Sequence, residues 1–418
     1  MNPLDGLLQS YLDLQRHFDP AAASAAGFVS ADARLGGFDA QTMRQHLVAF
    51  RAIAAAIEDV ELDELEDEID RTALLAEVRG SIARLEQERP HARDPGFWIG
   101  HARQAVASLM SRPMPDAVAP AALARISALP GFFDAARGTL RRPPVLLVDA
   151  ALLELGPLGE LLVRAAALFG PAAPGGTEAM NAGVTAALEA LKRFGTALRD
   201  EIEPEADWAR GALGLELFER RLQEAYAIRS SAAELTRWAE HTLDEIGSAV
   251  AGGAMQPTSG VPTPIDPLVE AQEEAMKNLP SAVRRTLRSA VAVEGWSLYA
   301  SGAGREHDPR WLARLRRAAA RLAVDVGLHA RGMTPAAATE LLIGSGAVAA
   351  ATAAHELRSI AAAPTSGLAE AAGYREIARL RDAFASREGD DRNVFHAALL
   401  RYGALPPGLA GWGMGLEG

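Results

Sequence analysis

Three side-chain patterns in this chain are of a type that does chemistry. The stretch VAVEGWSLYASG, residues 291–302, sets Glu294 beside a glycine, with Trp296 and Tyr299 three apart on one side of a helix. Asp325 and His329 stand four apart, as do His241 and Glu245, so each pair shares a helical face. His355-Glu356 would open a zincin helix, but Ser359 stands where the second His must be, so HExxH is not formed. A lone His/acid pair is ordinarily a surface ion pair or a satisfied hydrogen bond. The chain has no G-x-S-x-G elbow, P-loop or dinucleotide fingerprint. The Gly411/Gly413/Gly415 spacing lacks the strand and helix that a nucleotide loop needs.

Composition narrows the chemistry further. The 418 residues carry 42 Lys and Arg against 54 Asp and Glu, a formal charge of -12, which argues against nucleic acid or an anionic membrane as the main partner. With no Cys there is no thiol nucleophile, iron–sulfur cluster or thiolate zinc site. Lys192 and Lys277 are the only lysines, which leaves little for Schiff-base chemistry. The opening residues lack a basic region and carry Asp5 and Asp13. The longest uncharged apolar run, Leu341 to Ala354, falls short of the ~18 residues of a membrane span. A cytoplasmic protein is the expectation.

The elements that must position these residues read as helices. Apolar positions recur at three- and four-residue spacing from Leu47 to Leu85, with the acidic run Glu58–Asp70 as a solvated face. Pro90 and Pro95 stop that pattern, and Pro113, Pro115 and Pro120 punctuate a loop. Further helices are expected over about 121–139, 147–169, 177–201, 211–227 and 231–250, and from Leu268 nearly to Gly403. Val145–Val148 is the single β-like run, so the fold class is all-α. The expected organisation is an N-terminal helical lobe over 1–250, a Gly/Pro-rich linker at 251–267 and a C-terminal helical half over 268–418, sharing one core. The tail GALPPGLAGWGMGLEG is too rich in Gly and Pro to predict a helix.

The 291–302 stretch resembles the EGWALYAE signature of DUF885, a bacterial family of helical, gluzincin-like proteins read as metallopeptidases. Two more motifs follow in order. RLAVDVGLHARGMTPAAATELL, from Arg321 to Leu342, is similar to the family's VDTGLHxxGWS segment, and FHAALLRYGALPPGLA, from Phe395 to Ala410, to its FHxxLLxxGALPL ending. HFDPAAASAAGF, DRTALLAEV, PHARDPGFWI and GLELFERRL extend the likeness upstream, so it covers most of the chain.

This resemblance implies a two-lobed scaffold with a central cleft and a zinc held by HExxPGHH together with the Glu of the EGW motif. Here that Glu is Glu294, but the residues from Thr242 to Asn278 contain no His, and the 252–267 linker stands where the family carries a longer insert. The alignment also puts Glu370 and Ala371 where the family has Tyr-Lys, and the Tyr would stabilise an oxyanion. Zinc hydrolysis needs three protein ligands and an activated water, so no metal and no other cofactor is expected. The residues expected to do chemistry are Glu294, Glu370, His329 and Asp325, the last orienting the imidazole. Trp296 and Tyr299 are expected to line the substrate site. The expected function is acid–base chemistry on a small or peptide-like molecule. The alternatives are a non-catalytic pseudopeptidase that binds or scaffolds, and a residual metallohydrolase recruiting His241 or His355.

Overall fold

The computed structural model describes residues 3–249, 267–305 and 307–416, and nearly all of them are helical. Among them there is no strand, only the isolated bridges Pro144–Glu205 and Arg288–Ala404. Nearly all of the Gly/Pro-rich stretch expected as a linker lies outside the described residues.

The chain packs as two compact units, one formed by residues 9–53 and 82–211, the other by 1–8, 54–81 and 212–418. Residues 212–249, grouped by sequence with the N-terminal lobe, therefore pack with the C-terminal half. The 9–53/82–211 unit contains α1 (Pro95–Met110), α2 (Pro115–Thr139), α3 (Val145–Phe169) and α4 (Gly176–Asp200), which pack against one another. Short connections make successive helices antiparallel, and Trp98, Ile126, Phe133, Leu162 and Phe194 are buried among them. The other unit holds α5 (Leu215–Tyr226), α6 (Ala232–Ala249), α7 (Ala290–Gly302), α8 (Pro309–Ala330), α9 (Ala350–Ala362) and α10 (Ala369–Glu388). Its core runs through Phe218, Leu235, Leu298, Leu322, Val326 and Ala372. Burying a residue such as Leu298 contributes roughly 1.5–3 kcal/mol.

Several prolines begin helices, Pro95 among them where the sequence pattern predicts interruption. Pro95 occupies the first position of α1, whose Asp94 cap accepts the Gly96 N–H at 2.8 Å; Pro309 does the same for α8, where Asp308 accepts from Arg310 at 2.8 Å. The ring's fixed φ suits a first turn, and its missing N–H would have had no intrahelical partner there. Pro115 likewise starts α2, which carries Pro120 and Pro130 inside it. The β-like run at Val145 is the first turn of α3, and the Gly/Pro-rich tail forms the helix Pro407–Gly413, again with Pro at its first position.

Candidate active site

The geometry around Glu294 begins with two glycines. A Cβ on Gly295 would overlap the backbone of Gly373, and one on Gly373 would overlap the Val291 carbonyl. Only glycine at both positions lets α7 and α10 pack backbone against backbone. That crossing brings Glu294, one residue before Gly295, close to Glu370, three residues before Gly373.

α8 supplies the countercharge. The Arg314 Nε donates to Glu370 at 2.5 Å, Nη1 donates to the Ser297 carbonyl at 3.1 Å and to the Ser301 hydroxyl at 3.3 Å, and Nη2 donates to the Ser297 hydroxyl at 2.9 Å. Arg317 and Arg321 converge on the two oxygens of Glu356, a buried carboxylate of α9. Three guanidinium groups thus pair with two of the three acids gathered here. Among the described residues Glu294 alone of the three acids has neither a hydrogen-bonding nor an ion-pairing partner. Its carboxylate is open to solvent, yet enough protein surrounds it that burial pushes its pKa up. The Glu370 charge adds to the rise, and Arg321 and Arg314 oppose it.

The other motif residues serve the structure. Asp325, fully buried, accepts three backbone N–H groups: Thr365 at 3.0 Å, Gly367 at 2.8 Å and Leu368 at 3.0 Å. Burial outweighs these bonds and raises its pKa to about 7. Both of its carboxylate oxygens are engaged by the turn that leads into α10, a role the sequence expectation of an imidazole-orienting Asp325 did not include. The buried His329 ring places Nε2 3.1 Å from the Ile360 carbonyl, a contact that requires a proton on that nitrogen.

Trp296 and Tyr299, expected to line a substrate site, are only 1% and 4% exposed. The Trp296 indole donates to the Leu268 carbonyl at 2.8 Å and stacks on Tyr299 with centroids 5.7 Å apart. The Tyr299 hydroxyl lies 3.4 Å from His396 Nε2, so the EGW and FH motifs meet in one aromatic cluster. His241 meets Glu245 at 3.3 Å as the spacing predicts, with both side chains at the surface, and His355 is exposed while its neighbour Glu356 is not.

The zinc implied by the resemblance does not fit these residues. Among the described residues no three His, Cys, Asp or Glu side chains converge on one point. The charged groups around Glu294 are Glu370, already paired with Arg314, and the guanidinium groups of Arg321 and Arg314. Arg314, Arg317 and Arg321 were missed from sequence, although their three- and four-residue spacing on one face of α8 is a legible signal.

Fold and site together define an all-helical protein with a charge-balanced carboxylate–arginine cluster around one unpaired glutamate. The chain belongs to the family described as bacterial protein of unknown function (DUF885), whose model matches residues 20–257 and 270–410. Two solved structures are similar along nearly the whole chain. A "putative lipoprotein of unknown function" from Shewanella oneidensis has a TM-score of 0.78 at 16% identity, covering 98% of each chain. A "putative lipoprotein" from Colwellia psychrerythraea has a TM-score of 0.74 at 13% identity, covering 100% of each. No curated protein sequence matches the chain. Among the described residues no helix is long and apolar enough to cross a membrane.

Proposed function

We propose that this chain is a metal-independent enzyme doing acid–base chemistry on a small or peptide-like molecule, with Glu294 as the group that takes and returns a proton. The observation that carries this reading is the contrast at the cluster: Glu356 and Glu370 are paired with arginines, whereas Glu294 is open, unpartnered and raised in pKa. A carboxylate whose proton affinity is raised toward the working pH is suited to remove a proton from a substrate and deliver it to a leaving group. Elimination, isomerisation, cyclisation and hydrolysis all use that step. Arg314, fixed by Glu370 and Ser297, holds positive charge beside it, where an anionic group or a developing oxyanion would be stabilised. Glu370, at the family's Tyr position, then acts as the residue that positions Arg314. A cytoplasmic location belongs to the same reading.

The test is a mass-spectrometric screen of the purified full chain against small peptides and acylated amino acids, with chelator present throughout. Turnover that survives the chelator and falls by about 100-fold or more in Glu294→Gln supports the reading; a folded Glu294→Gln protein with full turnover contradicts it.

A second reading, a non-catalytic binding or scaffolding protein, is favoured by the burial of Trp296, Tyr299 and Asp325, which explains their presence without catalysis. It expects Glu294→Gln to leave the cellular role intact and a partner protein to co-purify. A residual metallohydrolase expects activity lost to chelator and restored by zinc.

A further inference from the structure

Five arginines and one carboxylate line a cavity of about 240 Å³ in the 9–53/82–211 unit: Arg89, Arg93, Arg141, Arg142, Arg210 and Glu205. They come from three separate segments: the turn before α1, the α2–α3 connection and the stretch after α4. In a run of antiparallel helices these segments belong to the same end. Backbone bonds join them there, from Arg141 N–H to the Ala92 carbonyl at 2.8 Å, from Glu205 N–H to the Pro143 carbonyl at 2.8 Å and from Val145 N–H to the Glu205 carbonyl at 3.0 Å. The Arg93 Nη2 also donates to the Arg210 carbonyl at 2.9 Å.

The charge of this cavity is not balanced. Glu205 lies 3.3 Å from Arg142 and 3.5 Å from Arg210, while its other oxygen accepts the Asp207 N–H at 3.1 Å. Arg89, Arg93 and Arg141 have no carboxylate partner among the described residues, although the protein as a whole carries a formal -12. Burial and the Arg89 charge both weaken the hold of Arg93 on its proton, so the convergence of cations carries an electrostatic cost. The backbone carries a cost as well. Only four non-glycine residues among those described adopt a left-handed φ, and two of them, Arg89 at 49° and Arg142 at 44°, line this cavity. Such conformations persist where the surrounding structure enforces them, and they concentrate at ligand sites.

We propose that this cavity is a binding site for a phosphate group, as inorganic phosphate or as the phosphoryl end of a small metabolite. Guanidinium forks match phosphate oxygens in pairs, and several forks converging on one small space favour a compact dianion over an extended one. The volume lies below the ~300 Å³ at which cavities begin to take drug-sized ligands, so it suits a phosphate with little else attached. The unpaired cations then have their counterion, and the site stands apart from the chemistry assigned to Glu294.

The test is thermal unfolding and isothermal titration calorimetry of the full chain with inorganic phosphate, at ionic strength matched with chloride, with glycerol phosphate and succinate run in parallel. Saturable binding of inorganic phosphate or of glycerol phosphate, tighter than that of succinate, is expected, and their relative affinities say whether the free ion or the ester is the ligand. Arg141→Ala, which removes a guanidinium bonded among the described residues only to the Leu140 carbonyl, should weaken binding at least ~10-fold while leaving the phosphate-free protein as stable as before or more so, because a repulsion is relieved. Arg89→Gln should do the same, and Glu294→Gln should leave binding unchanged. Absence of saturable binding by either phosphate, equal binding of succinate, or undiminished binding in both arginine variants would overturn the proposal.

Discussion

Gly295 of α7 and Gly373 of α10 meet backbone to backbone, and neither position has room for a Cβ. This contact sets the distance between the helices that carry Glu294 and Glu370, so the electrostatics of the site depend on two residues that have no side chain.

Gly295→Ala is expected to destabilise the protein. Alanine's better helix propensity gains about 1 kcal/mol, but overpacking costs about 1–3 kcal/mol, and here the obstacle is backbone, which cannot rotate away. Urea unfolding should show a lower midpoint for Gly295→Ala and for Gly373→Ala.

Glu294→Gln should stabilise the protein at pH values above the folded pKa of Glu294. The folded-state pKa of Glu294 is raised above its ordinary value of 4.5, so the folded protein keeps a proton that the unfolded chain gives up. Its contribution is therefore most favourable below 4.5 and declines as pH rises through the folded pKa. Unfolding curves of wild type and variant should converge at acid pH and separate above it, with the variant the more stable.

Asp325→Asn should destabilise the turn at 365–368. An amide offers one acceptor oxygen, and its NH₂ would face backbone donors, leaving at least one N–H unsatisfied at a cost of about 1–3 kcal/mol. Between the ordinary 3.8 and the folded value of about 7, wild-type stability should fall with rising pH. This slope should be smaller in the variant, as read from denaturant midpoints at successive pH values.

Much of this was legible before any coordinates. Apolar spacing reads as helix nearly throughout, and the EGW stretch points to Glu294. Periodicity says which residues share a face, but not whether that face is buried. Trp296 and Tyr299 are three apart, as a binding stripe would be, yet they pack in the core against His396, which is about a hundred residues further on. Asp325 shares a face with His329, but its partners are backbone groups of a turn some forty residues further on, which spacing along one helix does not reveal. The prolines at 95 and 115 read equally well as helix stops and as first residues, because the ring suits both. The arginines of α8 pass for a solvated stripe until Glu356 and Glu370 come up against them.

Arg314→Ala should raise the Glu294 pKa further, because it removes a cation that lowers it and frees the Glu370 charge that raises it. Arg314→Lys keeps the charge but not the fork that holds both Glu370 and Ser297, and should fall between wild type and alanine. Any pH–rate profile limited by Glu294 should shift to higher pH in the same order.

The most direct test of the central claim is a carboxyl ¹³C NMR titration of metal-free protein, with the Glu294 resonance assigned by its absence in Glu294→Gln. A pKa above 4.5 that is unmoved by added zinc is the predicted result. A pKa at or below 4.5, or a resonance shifted by stoichiometric zinc, would contradict a metal-independent proton-transfer role for Glu294.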